Sequence, residues 1–211
     1  MASSMIHLAI TACMEKTTVF KDISRLRLGA ILPDGAVGGN SHLKISICND
    51  TRFTYDLESF RERYGEQMKE DDLYLGYYLH LVQDTFFRRF IYGEHHFNSA
   101  IPGNIEKLHH DYAVTNCHVA RVYGLTPDMV QGTDLSAEPI CALADFDVPE
   151  LVREVEQQFS PIQEEQTFFF TPEMAEELVT RSTAFCMEEL HMLRNGGGLD
   201  SRAWSWERFT H

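Results

Sequence analysis

Asp71-Asp72-Leu73-Tyr74-Leu75-Gly76-Tyr77-Tyr78-Leu79-His80-Leu81-Val82-Gln83-Asp84-Thr85-Phe86-Phe87-Arg88-Arg89-Phe90-Ile91-Tyr92 is the stretch on which the fold turns. Acidic residues open it, apolar and aromatic side chains stay dense throughout, and no proline interrupts it. It therefore predicts a helix over residues 71–92, about five to six turns long at 1.5 Å per residue. Its apolar positions lie nearly all round, as in a helix buried on most sides, so it is expected to be central. At about 100° per residue, Leu73, Tyr77, His80, Asp84, Phe87 and Ile91 share one face, which sets an imidazole and a carboxylate one turn apart in an apolar stripe. A charge buried there needs a partner. Three arrangements supply one: a bound cation, a hydrogen bond between His80 and Asp84, or an ion pair from Asp84 to Arg88.

Working outward, residues 5–14 predict a short helix with Ile6, Ala9, Ile10 and Cys13 inward and His7 near the edge of that face, a strand being the alternative for so short a run. Residues 20–32 predict a second helix, which Pro33-Asp34-Gly35 ends, leaving Asp34 at a helix exit. A glycine-rich loop carries His42 and leads to one short strand at most. Residues 56–64 predict an amphipathic helix with Gly65 as its stop.

Beyond the central helix, a loop holds His95 and His96, and residues 105–123 predict a helix with Ile105, Leu108, Tyr112, Val119 and Val122 on its core face. Asn116 intrudes on that face, and His109, His110, Asp111 and His118 lie beside it. Residues 124–146 are turn-rich and carry no evident chemistry. Helices follow at about 147–159 and 171–193, each opened by an N-cap residue and an early proline. Residues 195–211 form a tail whose Trp204 and Trp206 dock back or make a contact, so a homo-oligomer is one outcome. Together these segments predict an all-α, single-domain, multi-helix bundle over residues 1–211, with a polar-rich half at about 5–123 and flanking helices at about 147–193.

The 211 residues, 44% of them hydrophobic, suffice for one domain with a sizeable core. With 32 acidic against 18 basic residues, the net charge of −14 repels polyanions, so no nucleic-acid polymer is expected as a partner. A small phosphorylated substrate held locally by cations remains compatible. No run reaches the roughly 18 apolar residues of a membrane span. Five widely spaced cysteines without a CxxC pair, and a start unlike a secretory signal, point to the cytoplasm.

His7, Asp34, His42, His80 and Asp84 are five potential metal ligands in the first 84 residues. Their order, with the local sequences Leu28-Gly29-Ala30-Ile31-Leu32-Pro33-Asp34, Ser41-His42-Leu43 and Leu75 to Asp84, resembles the zinc-dependent phospholipase C family, whose helical fold is shared with single-strand nucleases. The resemblance covers residues 5–92. It implies that His42, His80, Asp84 and Asp34 hold one metal and that His7 and a bridging Asp84 hold a second, with Asp34 also the general base. The implied cofactor is one or two zinc ions, with iron or manganese as alternatives, and the implied activity is hydrolysis of a phosphoric ester or diester. The family's third metal takes a histidine shortly after the central pair and then an HxxxE or HxxxD pair. Phe90, Ala113 and Val114 stand at those places, leaving His95, His96, His109, His110, Asp111 or His118 to build such a site differently. Arg88 is a candidate phosphate ligand.

Two other readings compete. An HD-type phosphohydrolase would use His110-Asp111 with His80 before it and Asp145 or Asp147 after it. A non-catalytic helical binding protein would keep the same polar groups merely hydrogen-bonded.

Overall fold

The computed structural model describes residues 2–160 and 166–207. Its central element is α4, Asp72–Arg88. Asp71, extended at φ −139° and ψ 118°, ends α3 (Leu57–Glu70) and caps α4 by accepting the Leu73 N–H. Arg25 grips the Asp71 carboxylate and also reaches Glu138. From Asp72 to Phe87 every residue except Leu75 is buried, as the all-round apolar pattern requires. The α-helix stops at Arg88 and gives way to a π-helical turn, Arg89–Glu94, which buries Phe90 and Ile91.

Around α4 pack α2 (Ile23–Ile31), α3 and α7 (Pro172–Arg194). The crossing with α2 brings backbone against backbone. A Cβ at Gly29 would stand 2.2 Å from the Leu73 carbonyl oxygen, and one at Gly76 2.2 Å from that of Leu26. Next to this pair, α1 (Ser4–Glu15) touches α2, α5 (Asn104–Tyr123) and α7, while α6 (Val148–Gln157) covers the 3-10 turn Leu32–Gly35. Buried apolar side chains from Ala2 to Leu199 join in one cluster. Among the described residues, no helix is long and apolar enough to cross a membrane.

Helix makes up 63% of the structure and strand 8%, so the chain is mostly helical but not purely all-α. One sheet pairs β1 (Ala36–Gly39) with β4 (Ala144–Phe146); the other has the order β2 (Lys44–Ile47), β3 (Arg52–Tyr55), β5 (Trp206–Glu207), and all pairings are antiparallel. Where one short strand at most was expected after residue 35, three are present, and the quiet segment 124–146 supplies β4 and the Glu138 carboxylate. The tail docks back: Trp206 lies opposite Phe53, and the Trp204 ring sits 4.6 Å from Phe185.

Three further expectations change. Gly65 does not stop α3, because open space surrounds it and buried Met68 holds the following turn. On α5, Ile105 and Val122 are 36% and 40% exposed, while Asp111, Thr115 and Asn116 are buried between Leu108 and Val119. The buried face is rotated because Asp111 is drawn inward by backbone N–H groups described below. His7 does not lie at the edge of a buried face, because Ser4 to Ala12 are all buried and α1 is covered on every side there.

Candidate metal centre

Four local structures bring the five predicted donors together. His7 comes from α1, Asp34 from the 3-10 turn after α2, His42 from the turn between β1 and β2, and His80 and Asp84 from α4. The His42 turn is built locally. Asn40 accepts the Lys44 N–H at 3.0 Å through its side chain, its carbonyl accepts the Leu43 N–H at 2.9 Å, and Leu43 adopts φ 48°. The Tyr77 hydroxyl of α4 donates to the Ser41 carbonyl and ties this turn to the central helix.

Second partners orient the imidazoles. His80 Nδ1 lies 2.8 Å from the Ala30 carbonyl oxygen, an acceptor only, so this nitrogen carries the proton and the lone pair of the neutral ring sits on Nε2. His7 Nδ1 lies 2.7 Å from Gln83 Oε1, which places its lone pair on Nε2 by the same reasoning. His42 Nδ1 contacts Ser41 Oγ at 3.0 Å. All three Nε2 atoms face the carboxylates. His42 Nε2 lies 3.1 Å from His80 Nε2, 3.3 Å from Asp34 Oδ1 and 3.7 Å from Asp84 Oδ2. His80 Nε2 is 3.9 Å from both Asp34 Oδ1 and Asp84 Oδ2, and His7 Nε2 is 3.7 Å from Asp84 Oδ1.

These separations fit the donor set of a divalent cation. Four ligands about 2.0–2.1 Å from a tetrahedral zinc stand about 3.3–3.4 Å apart. The observed spacings bracket that value, and all but the 3.1 Å contact between His42 and His80 are longer than an ordinary hydrogen bond. His7 Nε2 and Asp34 Oδ1 are buried atoms without a hydrogen-bond partner among the described residues, as ligand atoms kept for an ion would be. Two triads meet the spacing of a metal site, His42/His80/Asp84 and His7/Asp34/His80. They share His80; the second groups His7 with Asp34 rather than with Asp84, whose Oδ1 lies 3.7 Å from His7 Nε2.

Burial dominates the electrostatics. It lowers the pKa of His7 and of His80 to about 4, keeping both neutral and able to coordinate. For Asp84, burial pushes the carboxyl up, but the surrounding imidazoles, His80 foremost, outweigh it and hold it well below the usual carboxylate range. Neither structural alternative for the central pair is realised. His80 and Asp84 are too far apart for a hydrogen bond, and Arg88 Nε donates to the Tyr55 hydroxyl at 3.2 Å.

The other named residues lie apart from the triads. Asp111 accepts the N–H groups of Phe168, Phe169 and Phe170 at 2.8, 2.7 and 2.7 Å, which occupies both its oxygens. His110 packs its ring 5.0 Å from Phe168. His118 contacts Glu176 at 2.6 Å, His95 packs on Phe90, and His96 is exposed. Asp147 caps α6, and Asp145 lies on β4. Among the described residues, no further triad supplies a third metal site. His211 lies outside the described residues.

A cleft of about 470 Å³ opens beside the cluster, lined by Ser3, Asp34, His109, Tyr112, Asn116 and Gln158 among others. Of the five donors, Asp34 borders it. Sequence reasoning did not single out Tyr55, Gln83, Ser41 or the Ala30 carbonyl, because their roles arise from tertiary placement; only the nearness of Gln83 to Asp84 on one helix was a visible sign. No protein-family model, curated protein or solved structure matches the chain.

Proposed function

We propose that the chain is a metal-dependent phosphoric ester hydrolase resembling zinc-dependent phospholipase C. The observation that carries the reading is the convergence of His7, Asp34, His42, His80 and Asp84, with the buried atoms His7 Nε2 and Asp34 Oδ1 without a hydrogen-bond partner among the described residues. His42, His80, Asp34 and Asp84 would hold one ion; His7 with Asp84 Oδ1 would serve a second. Imidazole and carboxylate donors suit zinc, and iron or manganese also fit them. A bound divalent ion would lower the pKa of a coordinated water and offset charge on phosphoryl oxygens.

The chain's own groups supply the rest. Asp34 borders the cleft at the edge of the cluster, and its carboxylate would accept a proton from water as general base. The buried, neutral imidazoles keep their tautomers through Ala30 and Gln83, so the ligand lone pairs are fixed before substrate arrives. Ser3, Asn116, Gln157 and Gln158 line the cleft with neutral polar groups that would seat the substrate beside Asp34.

Metal analysis of protein purified without added metal, followed by hydrolysis of bis(p-nitrophenyl) phosphate, tests this. Bound zinc, iron or manganese and turnover abolished by a chelator are expected, with both lost in His42→Ala and Asp84→Ala. Absence of both metal and metal-stimulated turnover would overturn the proposal; metal without turnover would favour the non-catalytic binding reading.

A further inference from the structure

Tyr55, at the end of β3, is 1% exposed, and its hydroxyl lies between two groups of α4. It stands 3.4 Å from Asp84 Oδ2 and 3.2 Å from Arg88 Nε. A guanidinium has donors and no acceptor, so the hydroxyl accepts from Arg88 and its one proton is directed to Asp84. Packing alone does not explain this tyrosine, since phenylalanine would fill the same space without burying a hydroxyl. Asp84 Oδ2 is the oxygen turned toward His42 and His80, and rotation about the last bond of an aspartate is soft unless a partner fixes it.

Arg88 is fixed in turn by the C-terminal strand. Its guanidinium carbon lies 4.5 Å from the Trp206 ring centre and 5.3 Å from that of Tyr92, and the Trp206 ring is 4.9 Å from Tyr55. The segment carrying Trp206 is anchored at several points. Ser201 donates its N–H and hydroxyl to Glu58 at 3.0 and 2.7 Å, Thr54 Oγ1 donates to the Ser201 carbonyl at 2.7 Å, and Arg52 Nε donates to Ser205 Oγ at 2.8 Å. A chain of contacts thus runs from the tail to the oxygen that faces the two histidines.

We infer that Tyr55 and Arg88, clamped by Trp206, are positioning residues that aim Asp84 Oδ2 at the cation shared with His42 and His80. The inference rests on the metal reading above. Its test is zinc affinity, measured on the full chain by competition with a chromophoric chelator, together with the visible absorption of the Co(II)-substituted protein. Tyr55→Phe is expected to bind zinc about 10- to 100-fold more weakly and to change the Co(II) spectrum, the size of loss usual when a ligand's own partner is removed. Trp206→Ala should do likewise, and Trp206→Phe, which keeps an aromatic face under Arg88, should recover most of the affinity. Wild-type affinity and an unchanged Co(II) spectrum in Tyr55→Phe would overturn the inference, whatever Trp206→Ala does to folding. A wild-type chain that takes up no zinc, iron or manganese would instead sink the metal reading itself.

Discussion

Asp84 and Asp111 are both fully buried acids on long helices, and their surroundings give them different work. Asp84 faces three imidazoles at 3.7 to 3.9 Å and accepts long contacts of 3.4 Å from the Ala2 N–H and the Tyr55 hydroxyl, so under the metal reading its charge is the one a cation would meet. Asp111 accepts three backbone N–H groups at 2.7 to 2.8 Å, so its charge holds residues 168–170 against α5. The two should separate under substitution. Asp84→Asn keeps the volume but removes the charge, and it should weaken zinc binding more than 100-fold, beyond the roughly 10- to 100-fold loss typical of residues that only support a ligand. Asp111→Ala strands three donors and should lower unfolding free energy by about 3–5 kcal/mol while leaving zinc affinity near wild type. Chelator competition and urea denaturation on both variants check this pair, and zinc binding lost in Asp111→Ala while its fold persists would contradict the assignment. In sequence the two acids looked alike, each with a histidine neighbour. Only the partner from residues 168–170, some 57 positions away, distinguishes them.

At the scale of elements, the α2–α4 crossing sets the site, because it carries the Ala30 carbonyl to His80 Nδ1. Both glycines of the crossing lie against backbone, which has no side chain to swing aside. Gly76→Ala should therefore destabilise the protein by about 1–3 kcal/mol through overpacking, outweighing the roughly 1 kcal/mol by which alanine favours a helix, and should weaken zinc binding as His80 loses its partner. Gly65→Ala, in the interior of α3 with no atom within 4 Å, should instead stabilise by about 0.5–1 kcal/mol. Opposite shifts in thermal midpoint are expected, and equal shifts would contradict the packing argument. The contrast marks what sequence pattern can carry. Helix starts at Asp56, Asp71, Asp147 and Thr171 were readable because a cap and the turn it caps are sequence neighbours. The same holds for His80 and Asp84, four residues apart, whereas adding His7, Asp34 and His42 took the family resemblance. Of the strands, the alternation at residues 43–47 hinted at β2 alone; the others are two to four residues long, and β1, β4 and β5 pair with partners distant in sequence, as in Ala36 with Phe146. Neither Gly29 nor Gly76 announced its role, and Gly65 was misread as a helix stop, because what separates these glycines is the backbone or open space that lies beyond their own helix.

For the whole molecule, acid should act through the buried imidazoles against the surface charge. The net charge of −14 favours unfolding by self-repulsion, so protonating exposed carboxylates on acidification would by itself stabilise the fold. That repulsion is screened beyond about 8 Å at 0.15 M salt, whereas the buried groups are screened far less. His7 and His80 titrate near 4 when folded and near 6.5 when unfolded, so between these values the unfolded chain binds more protons than the folded one. Stability is then fully present above about pH 6.5 and falls as pH drops toward 4, by a few kcal/mol for the stacked pair together at about 1.36 kcal/mol per pKa unit. Asp84, whose carboxyl is also held low, adds a further loss below about pH 3.8. Bound metal should steepen the decline, because protons compete for the same nitrogens and the stabilisation from binding disappears with the ion. Urea denaturation from pH 8 to pH 4 in 0.15 M salt, with and without chelator, should show falling midpoints in both series and a larger fall without chelator. His7→Gln should flatten the chelated series, because an amide has no proton to gain, and a chelated wild-type series that stayed level or rose on acidification would show that the surface repulsion governs instead.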